Sequence, residues 1–249
     1  MDAVLLQRLS QITEEERELL QGRGVDRALY ASGRAFEVDA AKMLEKGKLM
    51  SIRPHTRFAP FPRHSHNYVE IMYMCRGKTV HRIYGDALVT LEAGELLFLN
   101  RHASHAIQRA DAGDIAVNFI VLPQFFDEAF NMAGMDNVLS RFLLGELYTG
   151  GAAVSYLHFR VREVLPVQNL VENMVWTLVN RQPDARRINQ VTMGLLLLQL
   201  MHYTECIDMS RNGSIRSPMV EAALREIEEN YRAASLTDVA AAFHVGMPY

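Results

Sequence analysis

Near the N-terminus, Val4, Leu5, Leu9, Ile12, Leu19 and Leu20 recur at helical spacing, which predicts an amphipathic helix over residues 3–21. Thr13 followed by Glu16 is a capping pair for its second half, and Gly22 and Gly24 end it. From about Lys48 to Pro123 the rhythm shortens to runs of strand length. These are Leu49–Arg53, Tyr68–Cys75, Thr79–Tyr84, Leu88–Glu92, Leu96–Leu99, Ala103–Gln108 and Ile115–Leu122. Arg76-Gly77, Gly85-Asp86, Ala93-Gly94 and Asp111–Asp114 supply the turn chemistry between them. Short strands at this spacing predict an antiparallel sandwich or barrel.

The helical rhythm then returns. Phe125–Ala133 and Val138–Tyr148 read as short helices, and Val154–Val161 as one further strand. A longer helix is expected over Pro166–Asn180, with Val167, Leu170, Val171, Met174, Val175 and Leu178 on one face and Pro166 in its first turn. Another is expected over Asp184–Glu205, with Ile188, Val191, Leu195, Leu198 and Met201 or His202 in register. The short link Arg181-Gln182-Pro183 makes the pair antiparallel. Leu196, Leu197 and Leu200 widen the apolar surface of the second helix beyond one stripe, toward the barrel, the first helix or another subunit. Residues 206–217 are polar, precede Pro218 and read as a linker.

Composition narrows the class. The 249 residues carry a formal net charge of −3, with 49% hydrophobic and 22% charged positions, which are globular values. No uncharged apolar run reaches the roughly 18 residues of a membrane span. The first residues lack a basic start and a small-residue cleavage site. Cys75 and Cys206 make neither a disulfide framework nor a CxxC pair, so a cytoplasmic setting is expected. A thiol on a buried strand, as expected for Cys75, is inert rather than a redox sensor. The near-neutral charge gives no bulk attraction to nucleic acid.

The string His64-Ser65-His66-Asn67-Tyr68-Val69-Glu70 concentrates the reactive groups. On one strand, His64, His66 and Glu70 share a face by parity, while Val69, Ile71, Tyr73 and Cys75 form an apolar opposite face. Met72 and Met74 continue the even face. Two imidazoles and a carboxylate then project into an enclosed space, where each needs a hydrogen bond, a ligand or a metal. A second string, Gly94-Glu95 through His105, offers another histidine after an apolar strand and a turn. Both strings resemble the two motifs of the cupin barrel. The resemblance implies metal-ligand positions at His64, His66, Glu70 and His105, suited to Zn, Mn, Fe or Ni. The sequence departs from the cupin pattern near Phe58, where a glycine is usual, at Asn100, where a proline is usual, and at Arg109, where enzymes commonly carry Asn. The alternative without metal is a hydrogen-bonded polar pocket for a small molecule.

Residues 218–249 place Val220, Leu224, Ile227 and Tyr231 on one helix face. Ser235 follows as an N-cap, and Leu236, Val239, Ala240 and Phe243 line a short second helix that ends in His244-Val245-Gly246. This is the front half of a helix-turn-helix. The string ENYRAASLTDVAAAFHVGMPY resembles the start of the DNA-binding domain of AraC/XylS-type transcription regulators. That resemblance implies an α+β chain: an antiparallel cupin-like β-barrel of jelly-roll type, an antiparallel helical pair and a truncated helix-turn-helix. The expected divisions are an N-terminal helical segment (1–47), an effector-sensing barrel (48–123), a helical dimerisation region (124–205), the linker (206–217) and the start of a DNA-binding domain (218–249). Arg225 and Arg232 face Glu221, Glu226, Glu228, Glu229 and Asp238 in this last segment, which is acidic, so most DNA-contacting residues are expected beyond Tyr249.

The resulting expectation is a homodimeric, non-enzymatic regulator without membrane contact. Its effector, a sugar or other small metabolite, sits near His64, His66, Glu70, Met72 and His105, and no catalytic residue is assigned. The competing expectation is a metal-dependent cupin isomerase or dioxygenase with His64, His66, Glu70 and His105 as ligands, for which His81 and His102 are general-base candidates by residue type alone. A third is a dimerisation module whose polar barrel groups satisfy one another.

Overall fold

A computed structural model describes residues 1–33, 35–83, 87–145, 147–149 and 152–209. The N-terminal stretch forms two helices, α1 Ala3–Leu9 and α2 Glu14–Leu20, instead of the single expected one. Thr13 is the cause. Its side chain accepts from the Glu16 backbone while the Glu16 carboxylate accepts from the Thr13 backbone, a reciprocal cap that starts a new helix. A short strand β1 Glu37–Val38 and helix α3 Ala40–Met43 follow.

The strands are β2 Met50–Pro54, β3 Phe61–His66, β4 Val69–Arg76, β5 Lys78–Ile83, β6 Ala87–Glu92, β7 Leu96–Leu99, β8 Ser104–Ile107 and β9 Ile115–Val121. A small ribbon of β10 Tyr148–Thr149 and β11 Ala152–Ala153 precedes β12 Tyr156–Phe159, and β13 Ile207–Met209 comes last. One sheet has the order β1-β3-β8-β5-β6 and the other β13-β12-β7-β4-β9-β2. Apart from the parallel β1–β3 pair, the pairings within these two sheets are antiparallel. Strands outside residues 48–123 thus complete both sheets, and β13 occupies residues expected to be linker.

Packing assigns each face of β4 a different partner. Met72 and Met74 join Leu97, Leu99, Ile83, Val89 and Leu91 in a cluster that fills the space between the two sheets. Ile71 and Tyr73 point the other way and join Phe98, Phe119 and the helices. Those helices are α4 Asp127–Ala133, α5 Val138–Leu143, α6 Leu165–Val179 and α7 Ala185–Met201. Of α7, the side packed inward is Met193, Leu196, Leu197 and Leu200, whereas Ile188, Val191 and Leu195 are exposed. The stripe expected to pack is therefore the one that faces outward.

Contacts group residues 1–147 and 153–209 into one compact unit. Residues 218–249, with the expected helix-turn-helix start, lie outside the described residues. No helix among the described residues is long and apolar enough to cross a membrane.

Candidate functional site

His64 and His66 sit on β3, and Glu70 sits on β4, in different sheets. The single strand expected across residues 64–75 is broken at Asn67-Tyr68, and the chain crosses from one sheet to the other there. The three side chains still converge, because they approach the interior from opposite walls. His105 comes in from β8, directly across from His64 in register.

The rings of His64 and His105 lie 4.3 Å apart between centroids. Glu70 Oε2 is 3.4 Å from His105 Nε2 and 3.8 Å from His66 Nε2. Asn118 on β9 donates its Nδ2 hydrogen to Glu70 Oε1 at 2.9 Å, which holds one carboxylate oxygen and leaves the other aimed at the histidines. Sequence reasoning does not single out Asn118; its even position on an apolar strand is the local signal it offers. His64, Glu70 and His105 are all buried, and their nearest donor atoms lie within 4.8 Å of one another. His66 adjoins this group through Glu70 and by an edge-on ring contact with His105 at 5.8 Å between centroids, and Met72 lies in the apolar cluster between the sheets.

Backbone partners set the tautomers. His64 Nδ1 lies 2.9 Å from the Pro62 carbonyl, and His66 Nδ1 lies 2.9 Å from the Tyr68 carbonyl. A carbonyl only accepts, so each Nδ1 carries the proton and each neutral ring presents a bare Nε2. Burial pushes the His64 ring down to about 3 and the His105 ring down to about 3, and lowers His66 as well. The rings are neutral at physiological pH. His66 Nε2, His105 Nε2 and Glu70 Oε2 are buried without a hydrogen-bond partner. Such groups are costly unless something completes them.

A further pair of histidines surrounds this centre. His81 is fully buried, lies 2.9 Å from the Thr79 hydroxyl through Nε2, and faces His105 Nδ1 at 3.5 Å. It therefore orients His105. His55 is buried with an unpartnered Nε2, and burial pushes its ring down to about 4. His102, by contrast, is exposed and reaches the Gly145 carbonyl. Cys75 is half-buried, and burial pushes its thiol up to about 12, so it is unreactive at neutral pH.

His64 and Glu70 open onto a cavity of about 40 Å³ lined also by Tyr30, Arg53, Tyr68 and Asn118. Space of this size holds an ion and a few waters. A drug-sized solute fills hundreds of Å³ and requires these walls to move.

As a metal centre the residues fit. Two imidazoles and a carboxylate suit Zn, Mn, Fe or Ni, and the Pro62 carbonyl, Asn118 and His81 provide the outer partners that orient such ligands.

Residues 51–130 match the family model described as the AraC-like ligand binding domain. No curated protein matches the sequence. Among solved structures, the apo form of a ToxT variant from Vibrio cholerae strain SCE256 is similar with a TM-score of 0.49 at 11% identity, covering 82% of this chain and 73% of that one. The AraC-like transcriptional activator CuxR is similar with a TM-score of 0.36 at 11% identity, covering 72% of this chain and 58% of its own. A Bacillus subtilis oxalate decarboxylase reaches 0.27 at 17% identity, over 30% of this chain and 22% of that one. Residues 51–130 are thus similar to an AraC-like ligand binding domain, and His64, Glu70, His105 and Asn118 all fall within that matched stretch.

Proposed function

We propose that this chain senses a small solute on behalf of an AraC-type transcription regulator. The observation that carries the reading is the set of buried, unpartnered polar atoms on His66, Glu70 and His105, gathered from both sheets. His64, Glu70 and His105 would hold a divalent transition metal, Zn, Mn, Fe or Ni, or the polar end of an effector such as a sugar, with His66 and Met72 close by. A bound metal would supply positive charge to facing lone pairs and an open coordination position for an effector oxygen. Such a ligand stabilises whichever conformation it binds better, and so shifts the balance between two states.

The segment 218–249, by its resemblance, would belong to a part that contacts DNA. Two copies would pair through the helices at residues 166–205, which places two reading heads on two half-sites. The exposed stripe Ile188, Val191 and Leu195 on α7 supports that pairing.

The test is thermal denaturation and calorimetry with ZnCl2, MnCl2, NiCl2 and a panel of sugars, on the parent chain and on Glu70→Gln and His105→Ala. At least one ligand is expected to raise Tm in the parent and to fail in both variants. A full panel without effect, or an effect that survives both substitutions, overturns the reading. The same donor set also fits a metal-dependent cupin enzyme. Turnover of a sugar or keto acid that stops on adding a chelator would replace the regulator reading with that one.

A further inference from the structure

A second and larger cavity, of about 720 Å³, opens elsewhere in the same unit. One wall is the segment from Lys42 to Arg53, including β2; the other is the junction of α6 with α7. Its lining contains six basic side chains and one acidic one. Several cations are already committed. Lys42 donates to the carbonyls of Ala28 and Ala31, Arg53 engages Glu15 and Tyr30, and Arg181 lies 3.8 Å from Glu45. Lys46, Lys48 and Arg186 remain as an exposed positive rim.

The floor is different in kind. Met50 and Phe125 supply apolar surface. Asn189 on α7 also lines the cleft, only 1% exposed, with neither Oδ1 nor Nδ2 hydrogen-bonded. A buried side-chain amide with both ends open is rare in folded chains and calls for a partner. It sits on the inward side of a helix, where an apolar residue would pack without that cost.

We infer that this cleft binds an amphipathic organic anion: its acid group against Lys46, Lys48 and Arg186, its apolar body over Met50 and Phe125, and a hydrogen-bonding group of the ligand on Asn189. The volume is that of a pocket for a drug-sized molecule, unlike the space beside Glu70. The cleft adjoins the space beside Glu70, with Met43 and Arg53 common to both linings, but it uses none of the histidines and needs neither the metal nor the effector assigned to them.

Calorimetric titration of decanoate, decyl phosphate and decanol into the 249-residue chain tests it. Both anions are expected to bind at least about tenfold more tightly than decanol, the scale of one charge-assisted contact. The double variant Lys46→Glu/Lys48→Glu and the single Arg186→Glu should each weaken decanoate about tenfold or more, on the same scale. Asn189→Leu should weaken the anions and raise the Tm of the unliganded chain, because it removes a buried unsatisfied amide. Equal affinity for decanol, no binding by either anion, or undiminished decanoate affinity in the charge-reversed variants overturns the inference; undiminished affinity in Asn189→Leu overturns the role of the amide. Glu70→Gln should leave decanoate binding intact. A chain that loses its zinc response but keeps decanoate speaks only against the reading of the histidine site.

Discussion

Protonation of single side chains makes the histidine cluster a measurable feature of stability. Unfolded histidine titrates near pH 6.5, but burial holds His55 down to about 4 and both His64 and His105 down to about 3. Between these values the unfolded chain takes up protons that the folded chain refuses. Stability is therefore complete above about pH 6.5 and falls steadily as pH drops toward 4. Tm measured from pH 8 to pH 4.5 should decline below 6.5, and Phe or Leu in place of His55 should flatten part of that decline. A flat profile in the parent chain would contradict the burial of these rings. Another residue-scale prediction concerns Arg57 and Glu16, both almost wholly buried. Arg57 Nε lies 2.6 Å from Glu16 Oε1 and Nη2 lies 2.8 Å from Oε2, a two-pronged pair that ties α2 to the strands. Arg57→Ala leaves a buried carboxylate uncompensated and should cost about 3–5 kcal/mol in urea unfolding. Replacing both residues together with Met should cost less than the single change.

At the level of elements, parity places His64, His66 and Glu70 in one hollow, but it also puts them on one strand. Parity survives a crossing between facing sheets, because β3 after its bulge turns His64 and His66 inward and β4 turns Glu70, Met72 and Met74 inward. The break at Asn67-Tyr68 is hidden by continuous strand-like composition on either side. The remaining strands of the barrel are legible from their turns, above all Ala93-Gly94. Gly94 has φ of +84°, and a Cβ there would lie 2.9 Å from the Arg162 Cα. Gly94→Ala should therefore destabilise the chain by about 1–3 kcal/mol, read as a lowered Tm with an unchanged far-ultraviolet spectrum. What the sequence conceals is long-range. β1 and β13 are too short to have a periodicity, and although β12 falls within the strand expected over 154–161, its pairing with the distant β7 leaves no local mark. Which of the two apolar faces of α7 turns inward is hidden from the sequence for a related reason. Gly194 lets α7 approach α4 so closely that a side chain there would meet Met132, which turns Leu196, Leu197 and Leu200 inward and Ile188, Val191 and Leu195 outward.

For the molecule as a whole, that outward stripe should govern self-association. Val191→Lys with Leu195→Lys is expected to shift sedimentation from dimer to monomer with little change in Tm, since both side chains are already largely exposed. A monomeric parent chain would remove the pairing from the scheme. The crossing of the chain between β3 and β4 has a last consequence. Anything gripped at once by β3, β4 and β8 works as a rivet through two plates whose facing surfaces are otherwise largely greasy. Occupancy would then register as a quieter seam along the sandwich: slower deuterium uptake at the amides of β3 and β8, felt by every segment that leans on those plates, without any large rearrangement of the backbone.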